Sequence, residues 1–260
     1  MPGTKACVYL CIAVLLSICF TACKKDDIPN PDGLSLSKII SKQQDSVGVV
    51  EFGYDNSGRV NTVFETVNGN PSQKTSYFYD GLGKLATAKH EYPSTNVSVF
   101  YIDTFSYQGN YITERRSGDN HYFKSTFAYD AQGRLAADTA YWTGYTNSKV
   151  YVRFVYDNND NLMDWEYFYH DAGTWHSLGA YHATYTNSIN PYYNVGVITF
   201  ITNQGIKLGD VMLSKHLVAK VTGTNGSVYN FSYEYYNNGL VKKSTVQSGV
   251  GSWTDEFFYE

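Results

Sequence analysis

Three histidines have the spacing that most directly suggests chemistry. His170, His176 and His182 follow one another at six-residue intervals around an expected hairpin loop. A zinc ion needs three or four converging ligands, so acidic partners would have to join them. The acidic residues of the same stretch are Asp164, Glu166 and Asp171. Because the tight ligand spacings of zinc motifs such as HExxH are missing, we predict surface or strand histidines and no metal site.

Oxygen-bearing side chains alternate in a second stretch. Asp157, Asn159 and Asn161 resemble the alternate ligands of a calcium loop, but the twelfth position, which needs an acidic residue, is Phe168. We therefore interpret this stretch as a capped hairpin tip.

Carboxylates could also pair for glycoside hydrolysis, because such a pair need only converge in space. The candidate glutamates are Glu51, Glu65, Glu114, Glu166 and Glu234. None lies in a local motif, and the chain has no G-x-S-x-G elbow, phosphate-binding loop or dinucleotide fingerprint. We expect no catalytic residue, no cofactor and no enzyme, and an envelope hydrolase stays as the less favoured alternative.

Aromatic residues are abundant, with 25 Tyr, 14 Phe and 4 Trp. Tyrosine and tryptophan rings stack on sugars and anchor interfaces when they are exposed. Most of the tyrosines fall in a repeat and are better explained as core. Tyr141, Trp142 and Trp175 lie near expected loops, and we predict that these three contribute to ligand binding.

The N-terminus reads as an export signal. Lys5 precedes an apolar run over residues 6–20, and the small residues Thr21 and Ala22 stand before Cys23. This arrangement resembles the lipobox of bacterial lipoproteins, with Phe20 in place of the usual leucine, and implies a membrane anchor on the Cys23 thiol. The other three cysteines lie within residues 1–22, the predicted signal peptide. The alternative is an ordinary secreted protein cut near Ala22.

A hydrophilic tether is predicted over residues 23–33. Lys24, Lys25, Asp26 and Asp27 resemble the tag that sends lipoproteins of Bacteroidota-type bacteria to the cell surface, although a plain spacer would have the same composition. We predict an outer-membrane lipoprotein exposed at the cell surface, with one domain over residues 34–260. The net charge of −4 and the scarcity of Lys/Arg clusters argue against nucleic acid as a partner.

One pattern recurs along the body: Tyr-Asp-x-x-Gly-Arg/Lys-Leu/Val. Its tyrosines are Tyr54, Tyr79, Tyr129, Tyr156 and Tyr235. Its aspartates are Asp55, Asp80, Asp130 and Asp157, and its glycines are Gly58, Gly83, Gly133 and Gly239. Fragmentary echoes occur at Tyr107 and Tyr185.

Each copy predicts a hairpin tip. The aspartate can cap backbone N–H groups, and the glycine can take the positive φ of a three-residue loop. In the Tyr156 copy Asp160 stands in place of the glycine, and aspartate tolerates that conformation better than most residues. An aromatic residue stands two positions before the repeat tyrosine, which predicts that both rings share one strand face.

These repeats resemble YD-repeat, or Rhs-like, sequences, and in particular Bacteroidota lipoproteins of unknown function. The resemblance extends from about Val49 to the C-terminus. In larger Rhs proteins such repeats wind a β-sheet into a shell around a cargo, but this chain has too few repeats for that role.

The predicted fold is all-β: an antiparallel meander of hairpins curled into a barrel or half-barrel around its aromatic face, with a two-sheet sandwich as the alternative. The repeat breaks over about residues 190–224, where we predict a strand over 195–202 and a short helix over 211–218 that caps the sheet. For function, we predict a non-catalytic binding protein whose partner is a glycan or an envelope protein. A structural envelope protein is the alternative.

Overall fold

The computed structural model describes residues 33–93, 99–117, 122–143, 149–195 and 213–260. The predicted signal peptide, Cys23 and almost all of the tether lie outside these residues. The body is a compact unit over Leu34–Glu260. Within the described ranges no helix is long and apolar enough to cross a membrane.

Sixteen strands form in the described part of the chain, and they are bounded as follows. The first eight are β1 Leu36–Gln43, β2 Ser46–Tyr54, β3 Val60–Val67, β4 Asn70–Tyr79, β5 Leu85–Tyr92, β6 Val99–Gln108, β7 Tyr111–Ser117 and β8 Tyr122–Tyr129. The others are β9 Leu135–Thr143, β10 Lys149–Tyr156, β11 Leu162–Asp171, β12 Thr174–Ile189, β13 His216–Gly223, β14 Val228–Tyr235, β15 Val241–Ser248 and β16 Gly251–Tyr259.

The strands close into one barrel in which each strand pairs antiparallel with its neighbours in sequence. The exception is the closing seam, where β1 pairs with β16, for example Ile39 opposite Phe257. Ser35 and Glu260 extend this seam by exchanging backbone hydrogen bonds of 2.7 and 3.0 Å. The predicted antiparallel barrel is confirmed, and the sandwich alternative is wrong because the single sheet has no second layer to pack against.

The repeat turn has the capping geometry that its residues predict. One carboxylate oxygen of Asp55 accepts from the backbone N–H groups of Ser57 and Arg59, and the other accepts from Arg59 Nε at 2.8 Å. Gly58 has φ +73°, and Asp160 takes φ +61° at the equivalent position. Leucine or valine at the end of the repeat, such as Val60, turns into the core.

Tyrosine hydroxyls tie several hairpins together at the end of the barrel that carries these turns, which we call the YD end. Two repeat tyrosines and two further tyrosines donate to the backbone carbonyl at the start of the preceding paired strand, at distances of 2.6 to 3.0 Å. These bonds are Tyr54 to Leu36, Tyr79 to Val60, Tyr107 to Leu85 and Tyr259 to Val241. Tyr185 makes the same bond to Leu162. We call this contact the tyrosine latch.

The basic residue of one repeat stacks on the tyrosine of the next. Arg59 lies 4.3 Å from the ring centre of Tyr79, and Lys84 lies 4.9 Å from that of Tyr107. Arg134 makes the same contact with Tyr156 at 4.9 Å. A cation over an aromatic face is attracted by the ring quadrupole, so Tyr79 and Tyr107 are each held by a hydroxyl bond and a cation–π contact.

The barrel interior is filled by two apolar clusters. One gathers side chains from β1 to β6 and from β13, β15 and β16, and the other gathers them from β8 to β14. The aromatic residues two positions before the repeat tyrosines are buried as predicted. They are Phe52, Tyr77, Phe105, Phe127 and Phe154. Alternate residues of each strand therefore face the core, and the rest face outward.

One expectation fails around the repeat break, and another falls mostly outside the described residues. The helix predicted over 211–218 is wrong in its described part, since residues 216–218 belong to β13, and a 3-10 helix lies over Pro191–Asn194. Most of the strand predicted over 195–202 lies outside the described residues. Tyr235 differs from the other repeat tyrosines because its ring is 41% exposed, and Tyr233 donates to the Val218 carbonyl at 2.7 Å in its place.

We expect the tyrosine latch to contribute measurably to stability. Tyr79→Phe keeps the ring and its contact with Arg59 but removes the hydroxyl bond to Val60, which should lower the free energy of unfolding by about 1 kcal/mol. Denaturant unfolding measures this change. Tyr111→Phe is the matched control because its ring is 55% exposed on the exterior. Equal stabilities of the two variants would contradict the latch.

Candidate functional site

Aromatic side chains gather on the exterior of β9 to β12, near the end opposite the YD end. Strand register brings them together: Tyr151 stands opposite Phe168, and His170 stands opposite Trp175. Tyr141 is opposite Lys149, one alternate position from Tyr151 on β10. We call Tyr141, Tyr151, Phe168, His170 and Trp175 the aromatic patch.

The rings of the aromatic patch contact one another. The ring centres of Tyr151 and Phe168 are 5.7 Å apart, and those of Tyr151 and Trp175 are 5.9 Å apart. His170 meets Trp175 edge to face at 5.0 Å. Trp175 remains 44% exposed, so the cluster presents ring surface to solvent.

Polar groups border the aromatic patch. Glu166 lies one alternate position from Phe168 and is bonded by Arg153 at 3.2 Å and by Ser177 at 3.0 Å. Lys149 lies over the ring of Tyr141 at 5.9 Å. Rings flanked by hydrogen-bonding groups suit a ligand that has both apolar faces and hydroxyls, as a sugar does.

Two of the three predicted ligand-binding residues, Tyr141 and Trp175, belong to the aromatic patch. The third, Trp142, follows Tyr141 on β9, and its side chain is outside the described part. Tyr151 and Phe168 were missed because their proximity to Trp175 depends on the register of three strands. Trp165, two positions before Tyr167 on the same strand, is core, with 1% of its surface exposed.

A second cluster of chemically capable residues lies inside the barrel. It crosses adjacent strands from β4 to β9 at inward-facing positions and consists of Thr75, His90, Asp103, Glu114, Arg116, Ser125 and Asp138. Apart from Arg116 these side chains are buried. We call this set the interior polar network.

Asp103 is the centre of the interior polar network. Arg116 donates two hydrogen bonds to its carboxylate at 2.8 and 3.0 Å, and His90 Nε2 is 2.9 Å from the Oδ2 that also accepts from Arg116. Tyr101 lies between these two partners, with His90 stacked at 4.4 Å and the Arg116 guanidinium at 3.8 Å. Although burial opposes ionisation, the bonds from His90 and Arg116 hold the pKa of Asp103 below its usual range.

The other two carboxyl groups of the interior polar network are shifted in the opposite direction. Burial, together with the charge of Asp103, raises the pKa of Glu114 well above its usual range, and Arg116 approaches it only to 3.8 Å. Burial raises the pKa of Asp138 to about 6, partly offset by a hydrogen bond from Ser125. The surroundings therefore favour the ionised form of Asp103 and the protonated form of Glu114.

Such a combination could support acid–base chemistry, but these side chains are enclosed. Glu114, Asp103 and Ser125 have no exposed surface, and Ser125 bonds Asp138 rather than His90. Of the glutamates considered for hydrolysis, Glu114 alone belongs to the network. Glu114 lies two residues from Ile112 on an alternating strand, so the sequence indicates an inward carboxylate. Such a buried group needs hydrogen-bond donors or an opposite charge nearby.

The three evenly spaced histidines have separate surroundings. His182 pairs with Asp164 at 2.8 Å, His176 stacks on Tyr169 at 5.0 Å, and His170 belongs to the aromatic patch. Among the described residues no three His, Cys, Asp or Glu side chains are grouped to hold a metal ion. The Asp157 carboxylate caps its own turn through the N–H groups of Asn159 and Asn161.

The raised pKa of Glu114 predicts a pH-dependent stability. A folded-state pKa above the usual 4.5 makes the protonated form part of the folded state, so stability is lost as pH rises from about 4.5 through neutrality. Glu114→Gln mimics the protonated form and should reduce this slope, which can reach about 1.4 kcal/mol per pH unit for one proton. Denaturant unfolding between pH 5 and 9 tests it. The exposed Glu234→Gln is the control, and equal slopes in both variants would contradict the assignment.

No family model matches this chain, and no curated protein matches it either. Among solved structures, it is similar to a porin-like protein from Bacteroides uniformis, with 12% identity, 86% of this chain and 96% of that chain covered, and a TM-score of 0.43. A porin-like protein from Bacteroides vulgatus has 12% identity, 87% and 99% coverage, and a TM-score of 0.47. The crystal structure of TcdB2-TccC3-Cdc42 matches with 14% identity and a TM-score of 0.33, over 81% of this chain and 14% of that one. Similarity this distant assigns no function.

Proposed function

We propose that this protein is a non-catalytic cell-envelope protein that binds a glycan through the aromatic patch. The observation that carries the proposal is the cluster of contacting rings on one side of the exterior, in which Trp175 is exposed and its neighbours are half-buried. A purely structural envelope protein has no need of exposed rings in mutual contact, because buried rings already supply its core.

The position of the acid–base groups supports a non-catalytic role. Three carboxyl groups of the interior polar network have strongly shifted pKa values, and each is under 10% exposed. They belong to Asp103, Glu114 and Asp138. A polymeric substrate bound to the exterior would be separated from them by the sheet itself. The exterior carboxylate nearest in sequence to Phe168, Glu166, is already bonded to Arg153.

The charged groups on the barrel exterior support a domain that is surrounded by water and lies next to a membrane. Membrane-spanning barrels present an apolar band to lipid, and charged groups there are costly. This exterior instead carries ion pairs around its circumference. They include Lys38–Glu51, Lys42–Glu256, Lys89–Glu91, Arg153–Glu166 and Glu234–Lys243. In the proposed arrangement the lipid on Cys23 holds the protein, and the barrel itself is not embedded.

Removal of single rings tests glycan binding. A glycan ligand is first identified by array screening of the purified protein. Trp175→Ala and Tyr151→Ala should each weaken its binding by at least about tenfold, because central aromatic contacts supply most of the affinity at such sites. Titration calorimetry measures the affinities. Phe78→Ala is the matched control because Phe78 is an exterior ring on β4, 53% exposed and outside the patch. Binding that survives both patch variants would refute the proposed site.

Replacement of a single thiol tests the anchor. Cys23→Ala should abolish incorporation of labelled fatty acid and move the protein from the membrane fraction to the soluble one, because two acyl chains give a stable anchor. Cys11→Ala changes a cysteine of the predicted signal peptide and should leave both properties intact. Lipid incorporation into the Cys23→Ala protein would show that the anchor is elsewhere.

A further inference from the structure

A row of basic and aromatic side chains crosses the exterior of β7 to β12. Each member stands directly opposite the next in the strand register. The order is Arg115, Lys124, Tyr141, Lys149, His170 and Trp175. Adjacent strands are about 4.8 Å apart, so five steps give a row about 24 Å long. We call it the basic row, and it includes three members of the aromatic patch.

The cations of the basic row differ from the other cations of the exterior. Lys38, Lys42 and Lys243 each lie within 3.6 Å of a glutamate. Within the described residues, Arg115, Lys124 and Lys149 lie within ion-pair distance of no carboxylate. Among the described side chains, no carboxylate therefore neutralises these three cations by direct contact.

On β6 to β9 the acidic residues of the described part face the other way, whereas Asp164 and Glu166 on β11 face outward and pair with His182 and Arg153. Asp103 on β6, Glu114 on β7 and Asp138 on β9 all point into the barrel, where they form the interior polar network. The outward positions in the row that neighbours the basic row are neutral: Thr113, Thr126, Thr139, Tyr151 and Phe168. On β6 to β9 the described acidic residues are therefore inside the barrel, while Arg115 and Lys124 face outward.

We infer that the basic row binds an anionic polysaccharide laid across the strands. This inference rests on the proposed function and specifies its ligand class. Carboxylate or sulfate groups along the chain would accept hydrogen bonds from Arg115, Lys124 and Lys149, while sugar rings stack on Tyr141 and Trp175. The aromatic rings between the cations favour a sugar polymer over a lipid surface, because a lipid surface offers charged headgroups but no sugar rings that could stack on Tyr141 and Trp175.

The test compares two polymers that share a backbone. Polygalacturonate carries a carboxylate on each residue, and its fully methyl-esterified form carries none. At low salt the purified protein should bind polygalacturonate at least about tenfold more tightly, and this preference should shrink as salt is raised. Affinity electrophoresis with each polymer in the gel measures both.

Variants that lack individual cations show which side chains cause the preference for polygalacturonate. The double variant Lys124→Ala/Lys149→Ala should lose the preference for the charged polymer, whereas Lys42→Ala/Lys243→Ala, which removes two paired cations elsewhere on the exterior, should keep it. Trp175→Ala should weaken binding of both polymers. Far-ultraviolet circular dichroism of each variant confirms that the barrel remains folded.

The outcomes separate this inference from the proposed function. Equal affinity for both polymers would overturn the anionic specificity and leave glycan binding standing. Binding to phosphatidylglycerol vesicles, sensitive to Lys124→Ala/Lys149→Ala and without binding to either polymer, would overturn it in favour of a membrane surface. A failure to bind either these polymers or any arrayed glycan would overturn both proposals.

Discussion

Tyrosine hydroxyls that donate to main-chain carbonyls at the YD end fasten strand to strand in the hairpins β1–β2, β3–β4, β5–β6, β11–β12 and β15–β16, and the alternation of side chains in these hairpins depends on this contact. The bond fixes the strand register because a slip of one residue would turn the ring to the opposite face. With Tyr54 or Tyr79 held inward, alternate side chains of the same strand must face the core. The exterior rows exist only because this alternation holds from strand to strand.

The local part of this arrangement could be predicted from sequence. Asp55, Gly58 and the aromatic residue before each tyrosine lie within a few residues of one another, so turn geometry and strand periodicity suffice to predict hairpin tips, inward rings and a curled antiparallel sheet. The segment around Leu217 and Val218 misled the same reasoning. The apolar residues Met212, Leu213, Leu217 and Val218 are spaced near a helical period. Leu217 and Val218 are instead buried on β13, beside register irregularities in the pairing with β12.

The sites were harder to predict because their members come from different strands. Lys124 and Lys149 are 25 positions apart in sequence and join one row only once the register of β8 to β10 is known. His90 and Asp103 likewise meet through pairing of β5 with β6. The single residues gave weak signals, since a lone lysine or histidine is compatible with any solvated strand. Burial of a charge is costly unless it is bonded, which explains why Asp103 is surrounded by donors.

The seam between β1 and β16 joins segments separated by more than 200 positions, whereas every other pairing is between consecutive strands. Local hairpins can form as soon as their own residues are available, but the seam must wait for the whole chain. Until then β1 and the last strand formed both display unpaired backbone groups, which can accept a strand from another molecule. Formation of β16 therefore also protects this protein from aggregation, since a chain without β16 leaves the edge of β1 unpaired.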